Sequence, residues 1–225
     1  MPPGQVLGEA WRLYRAHWRH LIPIALAVYL LLSLFTFLLT LLLGWLGWLS
    51  AVFIRLAGVF WLQGALVVAV EDIRDGRADL SIRETLSRVR PRMNTLAAAG
   101  MLAAFAITVG LLLLIVPGLV LATWWILIVP VIMLEGASVG RALGRSRELV
   151  RGEGWNVFGL IVLTFLILTV AAFVIGILLR PLEGSIPVLL RDVVSNTLTA
   201  PFVALAFTLA YYRLHFGREA SPATA

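Results

Sequence analysis

Arginine is the residue type through which this chain could most readily do chemistry. The segment Leu134–Trp155, LEGASVGRALGRSRELVRGEGW, carries four arginines between two long apolar runs, at positions 141, 145, 147 and 151. A guanidinium group binds phosphate oxygens through several N–H donors at once. The segment could therefore bind phosphate in a substrate or in nucleic acid, lie on a membrane surface, or only fix which way the chain faces in a membrane.

Catalytic and metal-binding patterns are sparse elsewhere. The chain has no cysteine, and its three histidines, His17, His20 and His215, are not clustered. No zinc-protease, serine-hydrolase or phosphate-loop motif occurs, and no two carboxylates have a spacing within the apolar runs that suits acid–base catalysis. We therefore predict no enzyme and no cofactor. The least favoured interpretation is an enzyme acting on lipid phosphate, which would recruit Glu71, Asp72, His17 or His20.

The elements that must position the arginines are predicted to be membrane-spanning helices. Hydrophobic residues make up 61% of the chain and charged residues 13%, against roughly 45–50% and 25% in soluble domains. A span needs about 20 mostly apolar residues. The sequence therefore predicts an all-α, polytopic membrane protein with six spans, at 21–43, 51–70, 95–116, 118–134, 155–179 and 193–212.

The connections between neighbouring spans carry their own signals. GWLGWLS, residues 44–50, predicts a tight turn with interfacial tryptophans after the first span. Pro117-Gly118 predicts a break between the third and fourth spans. Small residues in the third span predict a close helix–helix contact: Ala99, Gly100, Ala103, Ala104, Ala106 and Gly110.

The distribution of arginine predicts the orientation of the spans. Fifteen of the eighteen basic residues, all of them arginine, lie before the first span, after the last, or in the connections that follow spans two and four. The other three, Arg55, Arg180 and Arg191, would lie on the opposite side. Because cytoplasmic segments collect arginine, both termini should face the cytoplasm. The net charge of +6 would suggest a nucleic-acid partner for a soluble protein, but here it follows from topology and no nucleic acid is predicted.

Three basic segments have the pattern of amphipathic helices that lie at a membrane surface. They cover residues 4–20, 80–90 and 138–151, with apolar residues on one helical face and arginines on the other. Ser81 with Glu84 predicts a capping box, and Ser138 a helix N-cap. Anionic phospholipid headgroups are the predicted ligands of ten arginines: Arg12, Arg15, Arg19, Arg83, Arg88, Arg90, Arg141, Arg145, Arg147 and Arg151. Residues 214–225 are predicted to be a flexible tail.

The three segments also suggest an internal repeat. EAWRLYRAHWRHL, from Glu9, aligns with ETLSRVRPRMNTL, from Glu84, and RALGRSRELVRGEGW, from Arg141, aligns more loosely. Each unit would be a basic amphipathic helix followed by two spans. The alternative is that any helix entering a bilayer from the cytoplasm has this composition.

Polar residues within the predicted spans are the candidates for an intramembrane site, because such residues are unfavourable in lipid. Arg55 lies near a span end, where its side chain could extend to the headgroups. Gln63 and Asn196 could hydrogen-bond between helices, and Pro130 and Pro201 predict kinks that could shape a cavity. These residues support one alternative function, a transporter or exporter component with a cavity between kinked spans.

A family resemblance covers nearly the whole chain, and its most informative part is residues 113–161, LLIVPGLVLATWWILIVPVIMLEGASVGRALGRSRELVRGEGWNVFGLI. They resemble the bacterial and archaeal membrane-domain family named after the glycerophosphoryl diester phosphodiesterases that carry it. The shared elements are Pro117-Gly118, Pro130, Leu134-Glu135-Gly136, Ala142-Leu143, Arg145-Ser146, Leu149 and Trp155. The resemblance implies a multi-span protein of a bacterial or archaeal inner membrane. The soluble phosphodiesterase barrel of the fused members has no counterpart in these residues, so the resemblance implies no catalytic residue.

The leading functional hypothesis is a non-enzymatic integral membrane protein that interacts with lipid or scaffolds another protein. Its motivating feature is the set of three basic surface helices beside spans that hold few polar residues. The predicted partners are the phospholipid bilayer and its anionic headgroups, with a second copy of the chain or another membrane protein as further candidates.

Overall fold

The computed structural model describes residues 1–76, 80–178 and 185–219, with the backbone alone at 185–190 and 218–219. These residues form helices and no strand, which confirms the predicted all-α class. In chain order the helices are α1 (Pro3–Arg74), α2 (Ile82–Val89), α3 (Met93–Leu113), α4 (Ile115–Trp125), α5 (Ile128–Glu135), α6 (Val139–Val150), α7 (Gly154–Leu178) and α8 (Ser185–Glu219). A 3-10 turn, Arg90–Arg92, joins α2 to α3.

α1 is a helical hairpin. A straight helix of its 72 residues would be about 108 Å long. Gly44 instead has φ 55° and ψ −127°, a backbone conformation that favours glycine, and the chain reverses there. A Cβ atom on Gly58 would lie 2.5 Å from the side chain of Leu32, so the two arms pack side by side. The reversal coincides with the start of the predicted turn at residues 44–50.

The basic N-terminal segment is continuous with the first arm of α1, whereas the sequence predicted a separate helix at 4–20. Helical geometry is interrupted at His17, where φ is −120° and ψ is 20°. Pro23 has no backbone N–H and cannot donate a hydrogen bond to the carbonyl of Arg19. The distortion at His17 lies just before this missing hydrogen bond. Val6 and Ala10 are fully buried, so the segment packs onto the bundle.

The reversal between α3 and α4 lies at Leu114, which is extended with φ −154° and ψ 129°. The predicted break at Pro117-Gly118 is therefore wrong by three residues. Pro117 falls in the first turn of α4. The backbone N–H groups of a first turn have no intrahelical acceptor, so the N–H that proline lacks costs the helix no hydrogen bond. Gly118 serves close packing, because a Cβ atom on Gly110 would lie 3.0 Å from the Gly118 Cα.

The predicted fourth span, 118–134, is interrupted between Trp125 and Ile128, where α4 ends and α5 begins. Pro130 lies in the first turn of α5 and cannot donate to the carbonyl four residues earlier. Ser146 of α6 fills the break. Its fully buried hydroxyl donates to the Trp124 carbonyl at 2.6 Å and accepts from the Leu127 N–H at 3.2 Å. The interruption is thus the place where α6 joins the bundle.

Five helical stretches of the described chain are long and apolar enough to cross a membrane: Pro3–Arg74, Ile82–Leu113, Ile115–Glu135, Gly154–Leu178 and Arg191–Gly217. The most apolar part of α8 is 61% buried, which places α8 at the centre of the bundle. In α7 only 11% of the corresponding part is buried, although its mean hydropathy is 3.0. An exposed apolar surface of this extent is unfavourable in water and is compatible with a membrane protein.

The C-terminal part of α8 corrects the prediction of a flexible tail at 214–225. The helix continues to Glu219, Leu214 is buried, and the Tyr212 and Phe216 rings stack at 6.0 Å between centroids. The predicted tail therefore begins as a helix, buried at Leu214, and residues 220–225 lie outside the described chain.

The three basic segments are joined to their following helices in three different ways. The first is continuous through His17, the second passes through the 3-10 turn at Arg90–Arg92, and the third turns at Gly152, where φ is 91°. The repeat of a basic helix followed by two spans therefore stays a prediction.

The predicted capping box of α2 is confirmed. The Ser81 hydroxyl accepts from the Glu84 N–H at 3.3 Å, and the Glu84 carboxylate accepts from the Ser81 N–H at 2.9 Å and from its hydroxyl at 2.6 Å. The hydrogen bonds from Ser81 lower the pKa of Glu84 below its ordinary value, and the Arg88 charge adds to this. The box is therefore fully formed above the ordinary pKa of glutamate, about 4.3, and is lost as pH falls through the lowered pKa.

Ser81→Ala is expected to increase amide hydrogen exchange over residues 82–89 several-fold at neutral pH, because the first turn loses an N-cap acceptor. The difference between the variant and the unsubstituted protein should shrink as pH falls through the lowered pKa of Glu84. Ser87→Ala is the control, since the Ser87 hydroxyl donates only to the carbonyl of Glu84 within its own helix. Equal exchange in the two variants would contradict the prediction.

Candidate functional site

The predicted cytoplasmic segments meet at one end of the bundle, which we call the basic end: residues 1–20, 71–76, 80–92, 135–154 and 211–217. Glu9 accepts a charged hydrogen bond from Arg213 at 2.6 Å. The N-terminal amino group binds Glu153 at 2.7 Å, and this bond, with one from Asn156, lowers the pKa of Glu153. Segments far apart in sequence are therefore joined at a single surface.

Two further arginines of the basic end act as internal braces. The Arg92 guanidinium donates to the Met133 carbonyl near the end of α5, and the Arg74 guanidinium lies 3.6 Å from the centroid of the Tyr212 ring. An arginine near a helix C-terminus satisfies a carbonyl that the helix leaves unpaired. Arg92 thus holds the α2–α3 connection to α5, and Arg74 holds the second arm of α1 to α8.

Glu135 is the centre of a polar cluster that joins α5, α6 and α8. Its carboxylate oxygens each lie 3.2 Å from Nε of Arg145, and Oε1 accepts from the Tyr211 hydroxyl at 2.9 Å. His215 Nδ1 lies 3.8 Å from the same carboxylate and stacks on Tyr211. From its place at the end of the fourth predicted span, Glu135 is expected to pair with an arginine such as Arg141. The partner is an arginine, but it is Arg145, because the second turn of α6 faces Glu135. Arg141, in the first turn, donates to Ser138 at 3.2 Å.

The ten predicted headgroup ligands divide into two groups. Arg145 is partly buried, and it binds Glu135 and, at 3.6 Å, Glu148. The other nine are exposed: Arg12, Arg15, Arg19, Arg83, Arg88, Arg90, Arg141, Arg147 and Arg151. Three exposed tryptophans accompany them, Trp11, Trp18 and Trp155. The basic end therefore presents cations and amphipathic rings outward.

The three polar residues predicted within the spans do not form one site. Arg55 binds Asp192 of α8, which also lies 3.4 Å from the Ser33 hydroxyl. Asn196 donates to the carbonyl and the carboxylate of Asp192 in its own helix, so the predicted interhelical hydrogen bond of Asn196 is not formed. Gln63 is half-buried and joins no other described residue through its side chain. Asp192 was missed from the sequence, although a carboxylate next to an apolar run is itself a signal.

Two of the four residues that an interfacial enzyme would use make local hydrogen bonds, and the Nε2 atom of a third, His20, is buried without a hydrogen-bond partner in the described chain. The Asp72 carboxylate accepts from the Leu80 N–H at 3.1 Å, and His17 Nδ1 lies 3.2 Å from the Leu13 carbonyl. Burial, followed by the charge of Asp75, raises the pKa of Glu71. Within the described ranges, no group of three or more histidine, aspartate or glutamate side chains could hold a metal ion.

Two adjoining cavities lie where α4, α6 and α7 meet. The first, which we call the apolar groove, has a volume of about 550 Å³ and runs between α4 and α7; its side walls include Val116, Leu119, Val120, Thr123 and Phe158. The second, the arginine cavity, has a volume of about 630 Å³, and its lining includes Arg147, Glu148 and Arg151 of the α6 end. The two share three lining residues, Trp124, Gly152 and Gly154. An apolar space thus continues into a charged one.

The guanidinium of Arg147 lies over the Trp124 ring, 4.1 Å from its centroid. It therefore sits at the boundary between the two cavities. The contact between Arg147 and Trp124 joins residues of different helices, and the sequence gave no signal for it.

Comparison with known proteins finds no match: no family model, no curated protein and no solved structure is similar to this chain. The resemblance of residues 113–161 to the membrane-domain family therefore stays a prediction.

Proposed function

We propose that the chain is a non-enzymatic, six-span membrane protein whose basic end faces the cytoplasm and binds anionic phospholipid headgroups. The reversal at Gly44 supports the number six, because it divides the first of the five apolar stretches into two arms. The exposed apolar surface of α7 supports contact with lipid. The family resemblance adds a bacterial or archaeal inner membrane as the location.

The observation that carries the proposal is the group of nine exposed arginines at one end of the bundle, together with exposed tryptophans. Basic residues near an anionic membrane surface contribute about 1 kcal/mol each, and tryptophan favours the headgroup region. The arginines that brace the fold, such as Arg92 and Arg145, are distinct from this group. The exposed arginines present their charge at the surface of the basic end, where an anionic headgroup can reach it.

The transport interpretation has one supporting feature. A cavity of about 250 Å³ is lined by Arg55 together with Ser33, Thr36 and Thr40. This lining does not include Gln63 or Asn196, on which the transport hypothesis depended. We therefore favour lipid binding over transport.

Phosphatidylglycerol, added to the detergent-purified protein, is expected to raise the midpoint of thermal unfolding more than an equal amount of phosphatidylcholine does. The difference should shrink in 1 M salt, where the Debye length falls to about 3 Å. A variant with glutamine at Arg12, Arg15, Arg19, Arg83, Arg88 and Arg90 should lose most of the preference. Arg191→Gln is the control, because Arg191 is exposed and adjoins Asp192, the partner of Arg55, rather than the basic end. Equal stabilisation by the two lipids would overturn the proposal.

A further inference from the structure

We infer that the apolar groove and the arginine cavity together bind one anionic glycerophospholipid, with an acyl chain between α4 and α7 and the phosphate at Arg147. This inference rests on the proposed function and adds to it a discrete site. Surface attraction by nine arginines would concentrate anionic lipid without selecting a position. The two cavities would hold one lipid molecule at a defined place.

The shape and lining of the groove fit an acyl chain. Its volume of about 550 Å³ lies within the range of roughly 300–1,000 Å³ found for ligand sites, and its walls are mostly aliphatic and aromatic. Val116 is 69% exposed and Trp155 is 86% exposed, so the groove opens at the outer surface of the bundle. Because α7 is the most exposed of the apolar helices, an acyl chain could enter from the side, out of the surrounding lipid.

The charge at the mouth of the groove fits a phosphate group. Within the described chain, no carboxylate lies within ion-pair distance of the Arg147 guanidinium, and the Trp124 ring beneath it holds it in place. A guanidinium over an aromatic face keeps its in-plane N–H donors for an anion. Glu148 also lines the arginine cavity; its side chain is exposed, and its carboxylate lies 3.6 Å from Arg145, which it shares with Glu135. Arg151 also lines this cavity.

The continuity of the cavities favours a phospholipid over a free anion. Free phosphate would occupy the arginine cavity and leave the apolar groove without an occupant. A fatty chain alone would not use Arg147. A phospholipid satisfies both regions, since its phosphate and its acyl chain are joined within one molecule and the regions share Trp124, Gly152 and Gly154. Preference for an anionic headgroup follows from Arg147, which has no carboxylate within ion-pair distance in the described chain.

The test is native mass spectrometry of the detergent-purified protein with added phosphatidylglycerol, phosphatidylcholine or inorganic phosphate. One phosphatidylglycerol should be retained per chain more strongly than either alternative. Arg147→Gln should weaken this retention about fivefold, the ratio that corresponds to the contribution of about 1 kcal/mol expected from one arginine. Gly154→Leu should also reduce retention by filling the junction of the cavities. It should leave the fold intact, because a Cβ atom there meets no other atom within 4 Å.

Two matched variants separate a defined site from general attraction. Arg83→Gln removes an exposed arginine of α2 that lines neither cavity, and Gly140→Leu makes the same substitution at another glycine with open space around its Cβ position. Gly140→Leu should retain lipid like the unsubstituted protein. Arg83→Gln, which lowers only the surface attraction, should weaken retention of the single bound lipid much less than Arg147→Gln does. If Arg147→Gln and Arg83→Gln weaken retention equally, the discrete site is wrong while the proposed function stands. If phosphatidylglycerol and phosphatidylcholine are retained equally by every variant, the proposed function fails as well.

A photoactivatable phosphatidylglycerol with a diazirine in its acyl chain supplies an independent readout. Cross-links are expected on residues 116–124 and 154–158 and should be lost in Gly154→Leu. Cross-links spread over the exposed faces of α7 without enrichment at these residues would overturn the inference.

Discussion

Gly118→Ala is expected to destabilise the folded protein by about 1–3 kcal/mol, the range for overpacking in a close-packed interior. The added Cβ atom would lie 2.6 Å from the backbone nitrogen of Leu111 and 2.4 Å from its Cγ. A side chain could rotate away, but the backbone of α3 cannot move without opening the α3–α4 hairpin. The loss should appear as a lower midpoint when the detergent-purified protein is unfolded with increasing sodium dodecyl sulfate and followed by circular dichroism.

The control is Gly140→Ala. Gly140 lies near the start of α6, and an added Cβ atom meets no other atom within 4 Å. Alanine has a higher helix propensity than glycine by about 0.8–1.0 kcal/mol, so this variant should be as stable as the unsubstituted protein or more stable. Opposite effects in the two variants would separate close packing from helix propensity. If the midpoint of unfolding in sodium dodecyl sulfate is the same for Gly118→Ala and the unsubstituted protein, the close approach of α3 and α4 is wrong.

The second large effect is expected for Ser146→Ala. The substitution removes the hydroxyl that satisfies the Trp124 carbonyl and the Leu127 N–H at the break between α4 and α5. A buried polar group left without a partner costs roughly 1–3 kcal/mol. We expect a fall of this size in the free energy of unfolding and faster amide exchange at residues 125–128.

Ser138→Ala is the matched control on the same helix. Ser138 occupies the N-cap position as predicted, but its side chain makes no capping hydrogen bond and is exposed. Its replacement should change the free energy of unfolding by a few tenths of a kcal/mol, well below the effect at Ser146. Similar losses in the two variants would mean that the hydroxyl of Ser146 does not hold α6 to the break. Because Arg147 follows Ser146 directly, a loosened α6 should also reduce phosphatidylglycerol retention.

The parts of the fold that could be predicted are those encoded in short stretches of sequence. The Ser81–Glu84 box, the N-cap position of Ser138 and the reversal in residues 44–50 each depend on a few neighbouring residues and were found in place. The break at Pro117-Gly118 was misplaced because proline is compatible with both a turn and a first helical turn. The close contacts of Gly118 with Gly110 and Leu111, which the sequence does not reveal, show that this glycine serves packing.

The sequence predicted the chemistry of the candidate site but not which arginine forms it. Composition and helical periodicity identified ten arginines as possible phosphate ligands, because charge and amphipathicity are properties of the local sequence. Nothing in the sequence distinguishes Arg145 from Arg147, which lie two residues apart on α6. Their environments differ because positions two apart face different sides of a helix, and one side meets Glu135 while the other meets Trp124.

The sequence by itself determined that the chain is all-helical, apolar and basic in particular segments, because hydropathy, helical period and charge can be read residue by residue. The tertiary structure alone decided that Glu135 binds Arg145, that Ser146 satisfies the break in the predicted fourth span, and that an apolar groove runs into an arginine-lined cavity. Each of these contacts joins different helices that are brought together by burial of apolar surface. The hydrophobic effect is non-directional and does not by itself select which residues meet. The partner of each polar group is therefore set by how the helices pack.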